Sequence, residues 1–177
     1  MSSTTQALDG RFTDDGVNST FGFSIVRNGN DRFRGSFDDV AATLTAGPDG
    51  LSLEGTAAVE SISIREPAEF RAHVLGAEFF DAANHSQLAF RSTGVELGDD
   101  GAARVAGALT IAGATREVSA EGSWSLDSPG RITIELRTSF DRRHFGFDWQ
   151  MELPGGGDAL AWEVGLEVHL ELVPHDD

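Results

Sequence analysis

Residues 163–172 read Glu163-Val164-Gly165-Leu166-Glu167-Val168-His169-Leu170-Glu171-Leu172. In an extended chain Val164, Leu166, Val168, Leu170 and Leu172 point one way. Glu163, Glu167, His169 and Glu171 point the other. A period of two with one dry and one wet face marks a strand of an antiparallel sheet that covers a core. The pattern recurs upstream. Phe21, Phe23 and Ile25 alternate, as do Val118, Ala120, Gly122, Trp124 and Leu126, and Ile132, Ile134, Leu136, Thr138 and Phe140.

Turn clusters separate these runs: Asn28-Gly29-Asn30-Asp31, Gly47-Pro48-Asp49-Gly50, Gly98-Asp99-Asp100-Gly101, Gly113, Asp127-Ser128-Pro129-Gly130 and Pro154-Gly155-Gly156-Gly157-Asp158. Such clusters connect hairpin strands. The pattern predicts strands near 5–14, 17–27, 32–46, 51–64, 87–97, 103–112, 116–126 and 131–141, with a ninth at 160–173. Residues 66–85 break the rhythm and predict helix. Pro67 suits a first turn, Phe70 and Val74 share a face, and Gly76 suits a C-terminal cap, with a second turn from Ala77 to Ala83. A meander of this length must deal with its edges. Closure into a barrel and packing into a sandwich both answer the pattern, and a barrel of about eight strands leaves room for one small ligand.

Composition narrows the chemistry. The chain has 177 residues and a formal charge of −16, and all 13 of its basic side chains are arginine. One domain spanning 1–177 is the expected organisation. Cysteine, lysine and tyrosine are absent. That excludes a thiol nucleophile, a disulfide, a lysine Schiff base and a tyrosine acid. The acidity argues against nucleic acid and anionic lipid surfaces. Apolar residues with glycine make up about half the chain, enough for a sizeable core. No run approaches a transmembrane span, and Met1 to Gly10 has neither a basic nor an apolar leader region, so a cytoplasmic location is expected.

No nucleophile elbow, P-loop or dinucleotide fingerprint occurs, and the histidines His73, His85, His144, His169 and His175 form no metal-binding spacing. No enzyme activity, cofactor or metal is expected. The paired aspartates fall in turns and tails and read as a solvated surface. Twelve phenylalanines and three tryptophans concentrate on the dry faces. They are core, or the lining of an apolar cavity that asks its ligand for no hydrogen bond.

Four stretches make the sequence resemble the YceI-like family of polyisoprenoid-binding, lipocalin-like barrels. The first is Ser19-Thr20-Phe21-Gly22-Phe23-Ser24-Ile25-Val26-Arg27 with Arg34-Gly35-Ser36-Phe37. The second runs Glu69-Phe70-Arg71-Ala72-His73-Val74-Leu75-Gly76-Ala77-Glu78-Phe79-Phe80-Asp81, then Leu88-Ala89-Phe90-Arg91-Ser92. The third is residues 105–118, whose Gly107-Ala108-Leu109-Thr110-Ile111-Ala112-Gly113-Ala114-Thr115-Arg116-Glu117-Val118 is similar to G-x-L-T-I-x-G-x-T-(R/K)-x-V. The fourth is Asp141-Arg142-Arg143-His144-Phe145-Gly146-Phe147-Asp148-Trp149. The chain departs from the family pattern at Asn28, Arg71, Val74, Ser86 and His144.

The resemblance implies an all-β fold: an extended eight-stranded antiparallel barrel with a short helical insertion near residues 66–85. It implies a pore for a long isoprenoid such as a quinone or polyprenyl chain, held by a carrier or storage protein. Phe21, Phe23, Ile25, Phe37, Phe79, Phe80, Leu88, Phe90, Ile111, Trp124, Ile134, Phe140, Phe145, Phe147, Trp149, Leu166 and Val168 are the expected lining. Arg27, Arg71, His73, Arg142 and His144 are the candidates for the mouth, with Arg65 and Arg143 nearby in sequence. The charge of −16 favours a neutral head group over a pyrophosphate. Two other readings stay open. One is a barrel-based cyclase or isomerase using His73, His144, Asp141 or Asp148; the other is a filled barrel serving as an interaction protein. Oligomeric state is open, a homodimer included.

Overall fold

The computed structural model describes residues 10–15, 19–27, 31–47, 50–63, 68–76, 82–127, 130–146 and 160–174. Its strands are β1 (Gly10–Asp14), β2 (Thr20–Arg27), β3 (Asp31–Phe37), β4 (Val40–Gly47), β5 (Gly50–Ala58), β6 (Gln87–Leu97), β7 (Ala102–Ile111), β8 (Ala114–Asp127), β9 (Arg131–Asp141) and β10 (Leu160–Pro174). They lie in the order β1-β4-β5-β6-β7-β8-β9-β10-β2-β3, and β1 pairs again with β10. That second pairing closes β1 and β4–β10 into an eight-stranded antiparallel barrel. Closure satisfies the strand edges that an open meander would expose. Strand β10 is shared along its length. Residues 172–174 pair with β1, and residues 160–169 pair with β2. The β2–β3 hairpin thus takes the part of the β10 edge that β1 does not reach.

Three expected boundaries change. The single strand expected at 32–46 is two, broken at Asp38-Asp39, where Ser36 Oγ donates to Asp38 and Asp39 N–H donates to Ser61 Oγ. The strand expected at 51–64 ends at Ala58 and gives way to a 3-10 turn, Val59–Ser61. The described helix α1 occupies Ala68–Leu75, and Ala82 N–H returns to the Leu75 carbonyl. Most of the second turn expected at Ala77 to Ala83 lies outside the described residues, as does the start of the strand expected at 5–14.

Inward residues form two apolar clusters. The base cluster holds Phe12, Leu44, Leu53, Leu97, Trp124, Ile132, Ile134 and Leu172, near the β4–β5, β6–β7 and β8–β9 turns. Trp124 fixes it: its backbone N–H donates to Gly101 O and its indole Nε1 donates to Gly98 O, both at 2.9 Å. The upper cluster holds Phe37, Ala57, Val59, Ile62, Leu88, Leu109, Ile111, Phe145 and Leu166. Full burial of one such side chain is worth roughly 1.5–3 kcal/mol.

The wet face is ordered as well. Along one row Glu167, Arg137, Glu121, Arg104 and Glu96 sit side by side on β10, β9, β8, β7 and β6, alternating in sign. Exposed pairs of this kind contribute little each, but opposite signs avoid cross-strand repulsion in an acidic chain. One network is more protected. Arg131 donates to Asp15 at 2.9 Å and to Glu171 at 3.1 Å, tying β1 to β9 and β10 at the base. These hydrogen bonds raise the Arg131 pKa above its ordinary value.

Candidate functional site

Between the two clusters lies a cavity of about 90 Å³. Phe21, Val40, Ala42, Leu53, Gly55, Thr56, Ala57, Leu88, Ala89, Phe90, Val105, Leu109, Val118, Ala120, Leu136, Thr138, Leu166, Val168 and Leu170 line it. The reason for the space is local. At inward positions of β4, β5 and β8 the chain places Ala42, Gly55, Ala57 and Ala120, which are too short to reach the barrel axis. Glu54 also borders the cavity, but its carboxylate pairs outside with Arg91 at 3.2 Å, where both side chains are exposed. The wall is therefore almost pure hydrocarbon.

Five residues of the expected lining stand at this cavity: Phe21, Leu88, Phe90, Leu166 and Val168. Trp124 and Ile134 do not line it. They are packed in the base cluster, because β8 and β9 carry them below the level of Ala120 and Leu136. Phe37 and Ile111 are buried in the upper cluster, with Phe23 and Phe140 packed against it. Phe23 lies over its cross-strand partner Gly35, where a Cβ would meet the ring 2.5 Å away. Ile25 is half-buried on β2. Phe145 stands on no strand. At Phe145 the expected alternation gives way to a 3-10 turn, Arg142–Phe145, in which Phe145 is buried. Phe79, Phe80, Phe147 and Trp149 lie outside the described residues.

That turn gathers the polar groups of the upper end. Asp141 caps it by accepting from the Arg143 N–H at 2.9 Å, and Gly146 ends it in the left-handed region at φ 84°. The Arg143 guanidinium also chelates Asp141, and these bonds hold the Asp141 carboxyl well below the usual carboxylate range. Arg142 is buried. Its Nε donates to Ala161 O at 2.9 Å, and its guanidinium carbon lies 4.3 Å from the Trp162 ring centroid. Arg143 sits 4.5 Å from the same centroid. Trp162 escaped the expected lining although it continues the inward period of Val164 and Leu166.

His144 is exposed on this turn, and neither it nor Asp141 lines the cavity. The side chains of Arg27, Arg71 and His73, and residues Arg65 and Asp148, lie outside what the structure describes. Among the described residues no group of histidines and carboxylates could hold a metal ion. No described helix is long and apolar enough to cross a membrane.

The YceI-like domain matches residues 12–172. The chain belongs to the YceI-like family. No curated protein matches it. Among solved structures, Burkholderia cenocepacia BcnA superimposes on this YceI-like chain with a TM-score of 0.74 at 21% identity, over 90% of the chain and 99% of BcnA. A polyisoprenoid binding domain from Saccharophagus degradans gives 0.70 at 11% identity, over 93% and 98%. The Campylobacter jejuni YCEI protein gives 0.64 at 19%, over 81% and 85%. At these identities the likeness is one of fold, and it extends over nearly the whole YceI-like barrel.

Proposed function

We propose that this protein binds a slim, neutral, isoprenoid-type chain inside the barrel and carries or stores it. The observation that carries the reading is the cavity wall, in which small aliphatic side chains meet two phenylalanines and the Glu54 carboxylate is turned outward to Arg91. Such a wall offers a polar ligand few hydrogen bonds but removes hydrocarbon from water at about 0.8 kcal/mol per CH₂ group. Family membership and the polyisoprenoid-binding neighbour support the same ligand class. The formal charge of −16 makes a neutral head group easier to accept than a pyrophosphate.

The volume adds a condition. About 90 Å³ is below the roughly 300–1,000 Å³ of ordinary ligand pockets. A long chain therefore enters only if the walls part. One five-carbon isoprene unit gains roughly 4 kcal/mol on leaving water, so a few units offset substantial repacking.

Native mass spectrometry with two C20 ligands tests this: geranylgeraniol and geranylgeranyl pyrophosphate. The expected result is a 1:1 complex with the alcohol that survives at lower ligand concentration than the pyrophosphate complex. Tighter binding of the pyrophosphate would overturn the neutral head group. Binding of neither would overturn lipid binding and leave the barrel a filled scaffold.

A further inference from the structure

The barrel wall is not continuous. The β8–β9 ladder runs from Asp127↔Arg131 to Glu121↔Arg137 and stops there. Beyond it β8 continues down to Ala114 and β9 continues up to Asp141. Over this length each strand keeps its other neighbour. Residues 114–120 pair with β7, and residues 138–141 pair with β10. Among the described residues, no strand bridges the two facing edges. The wall has a split.

The sequence builds the split into β8. Gly122 lies just inside the last paired positions, and a Cβ there would run into the Glu135 carbonyl oxygen. Only a residue without a side chain allows so close an approach, and it is here that β8 leaves β9. The cavity reaches this place from within: Val118 and Ala120 line it from one lip, Leu136 and Thr138 from the other.

One short turn packs against both edges of the split. The 3-10 turn Arg142–Phe145 packs against β8, β9 and β10. Phe145 is 3% exposed and meets Phe140 of β9 edge-on, with centroids 4.8 Å apart. It shares the upper apolar cluster with Val118 of β8. The turn is held from outside the cavity, by Asp141 at its start and by the Arg142 contacts to Ala161 and Trp162.

We propose that the apolar chain enters and leaves sideways, between β8 and β9, and that Phe145 is the gate. This rests on the binding reading above. Among the described residues the two ends of the barrel are packed. Packed side chains and three turns fill the base, and Phe37, Val59 and Ile62 are each at most 1% exposed at the upper end. Strands β5 and β6 also part, beyond Glu54↔Arg91, but there Leu53 N–H donates to Ser92 Oγ and Leu53, Val95 and Leu97 belong to the base cluster. Between β8 and β9, opening breaks no ladder hydrogen bonds. Among the described residues it costs the packing of one turn, which an incoming hydrocarbon replaces.

The absence of cysteine makes a direct test simple. Ser119→Cys on β8 and Ser139→Cys on β9 are exposed positions that face one another if the register is continued across the split. They are joined by a bis-maleimide whose spacer contains a cleavable disulfide. Uptake of a geranylgeranyl chain carrying a nitrobenzoxadiazole dye is then followed from phosphatidylcholine vesicles. The cross-link should slow uptake at least tenfold, and cleaving the spacer should restore it. Phe145→Ala should speed uptake several-fold; Phe145→Leu, which keeps the turn apolar, serves if the alanine variant unfolds. Uptake by the cross-linked protein at the uncross-linked rate would overturn the side entrance alone. Failure of the parent protein to take up the probe would overturn the binding reading, and the entrance with it.

Discussion

The two ends of the barrel use the same alternating strands for opposite purposes. At the base, large side chains meet on the axis, and Trp124 is bonded to both ends of the Gly98–Gly101 turn. Between the base and the upper cluster the inward positions shrink to Ala42, Gly55, Ala57 and Ala120, and space opens. The base also carries the protected Arg131, Asp15 and Glu171 network, whereas the upper end carries a short turn, a helix and a split wall. The difference teaches that burial alone does not mark a binding site in a barrel. The base supplies stability, and the upper part trades packing for a cavity.

Substitutions can break or sharpen this contrast. Trp124→Ala should have the largest effect, a loss of roughly 3–5 kcal/mol by urea denaturation, because it empties the base and removes the indole bond to the Gly98 carbonyl. Gly122→Ala should follow, at about 1–3 kcal/mol, since the new methyl meets backbone rather than a movable side chain. Ala120→Phe should behave differently. It should cut geranylgeraniol binding at least tenfold while the melting temperature changes far less than in Trp124→Ala, because it fills space the fold leaves empty. Equal melting temperatures for Trp124→Ala and Ala120→Phe would contradict the division into base and cavity.

Asp141→Asn probes the upper turn by pH. The Arg143 bonds depress the Asp141 pKa in the folded state, so their stabilisation is present above the unfolded carboxyl pKa of about 4 and fades as pH falls below it. The melting temperature of the parent should exceed that of Asp141→Asn at pH 6, and the gap should close toward pH 2. Glu167→Ala should be nearly silent, within about 0.5 kcal/mol, since its pair with Arg34 spans 3.5 Å between exposed groups.

Much of the fold was legible because period-two alternation and turn clusters report local geometry directly. The strands at β2, β6, β7, β8, β9 and β10 lie where that pattern predicts them. The break at Asp38-Asp39 was not legible, because two strands separated by two residues keep nearly the same alternation. The turn Arg142–Phe145 was hidden in the same way, with Phe145 in phase with an apparent strand. The site was the least legible part. Aromatic rings on dry faces report burial, whereas the cavity depends on small residues lying opposite one another across the barrel. Ala42, Ala57 and Ala120 carried that signal, and it becomes readable only once the register is known.

Organic extraction of the protein purified from its own source, followed by mass spectrometry of the extract, tests the central claim most directly. The account predicts a neutral isoprenoid at close to one molecule per chain, displaced in the Ala120→Phe variant. Recovery of only anionic polyprenyl phosphates, or of no lipid at all, would contradict it.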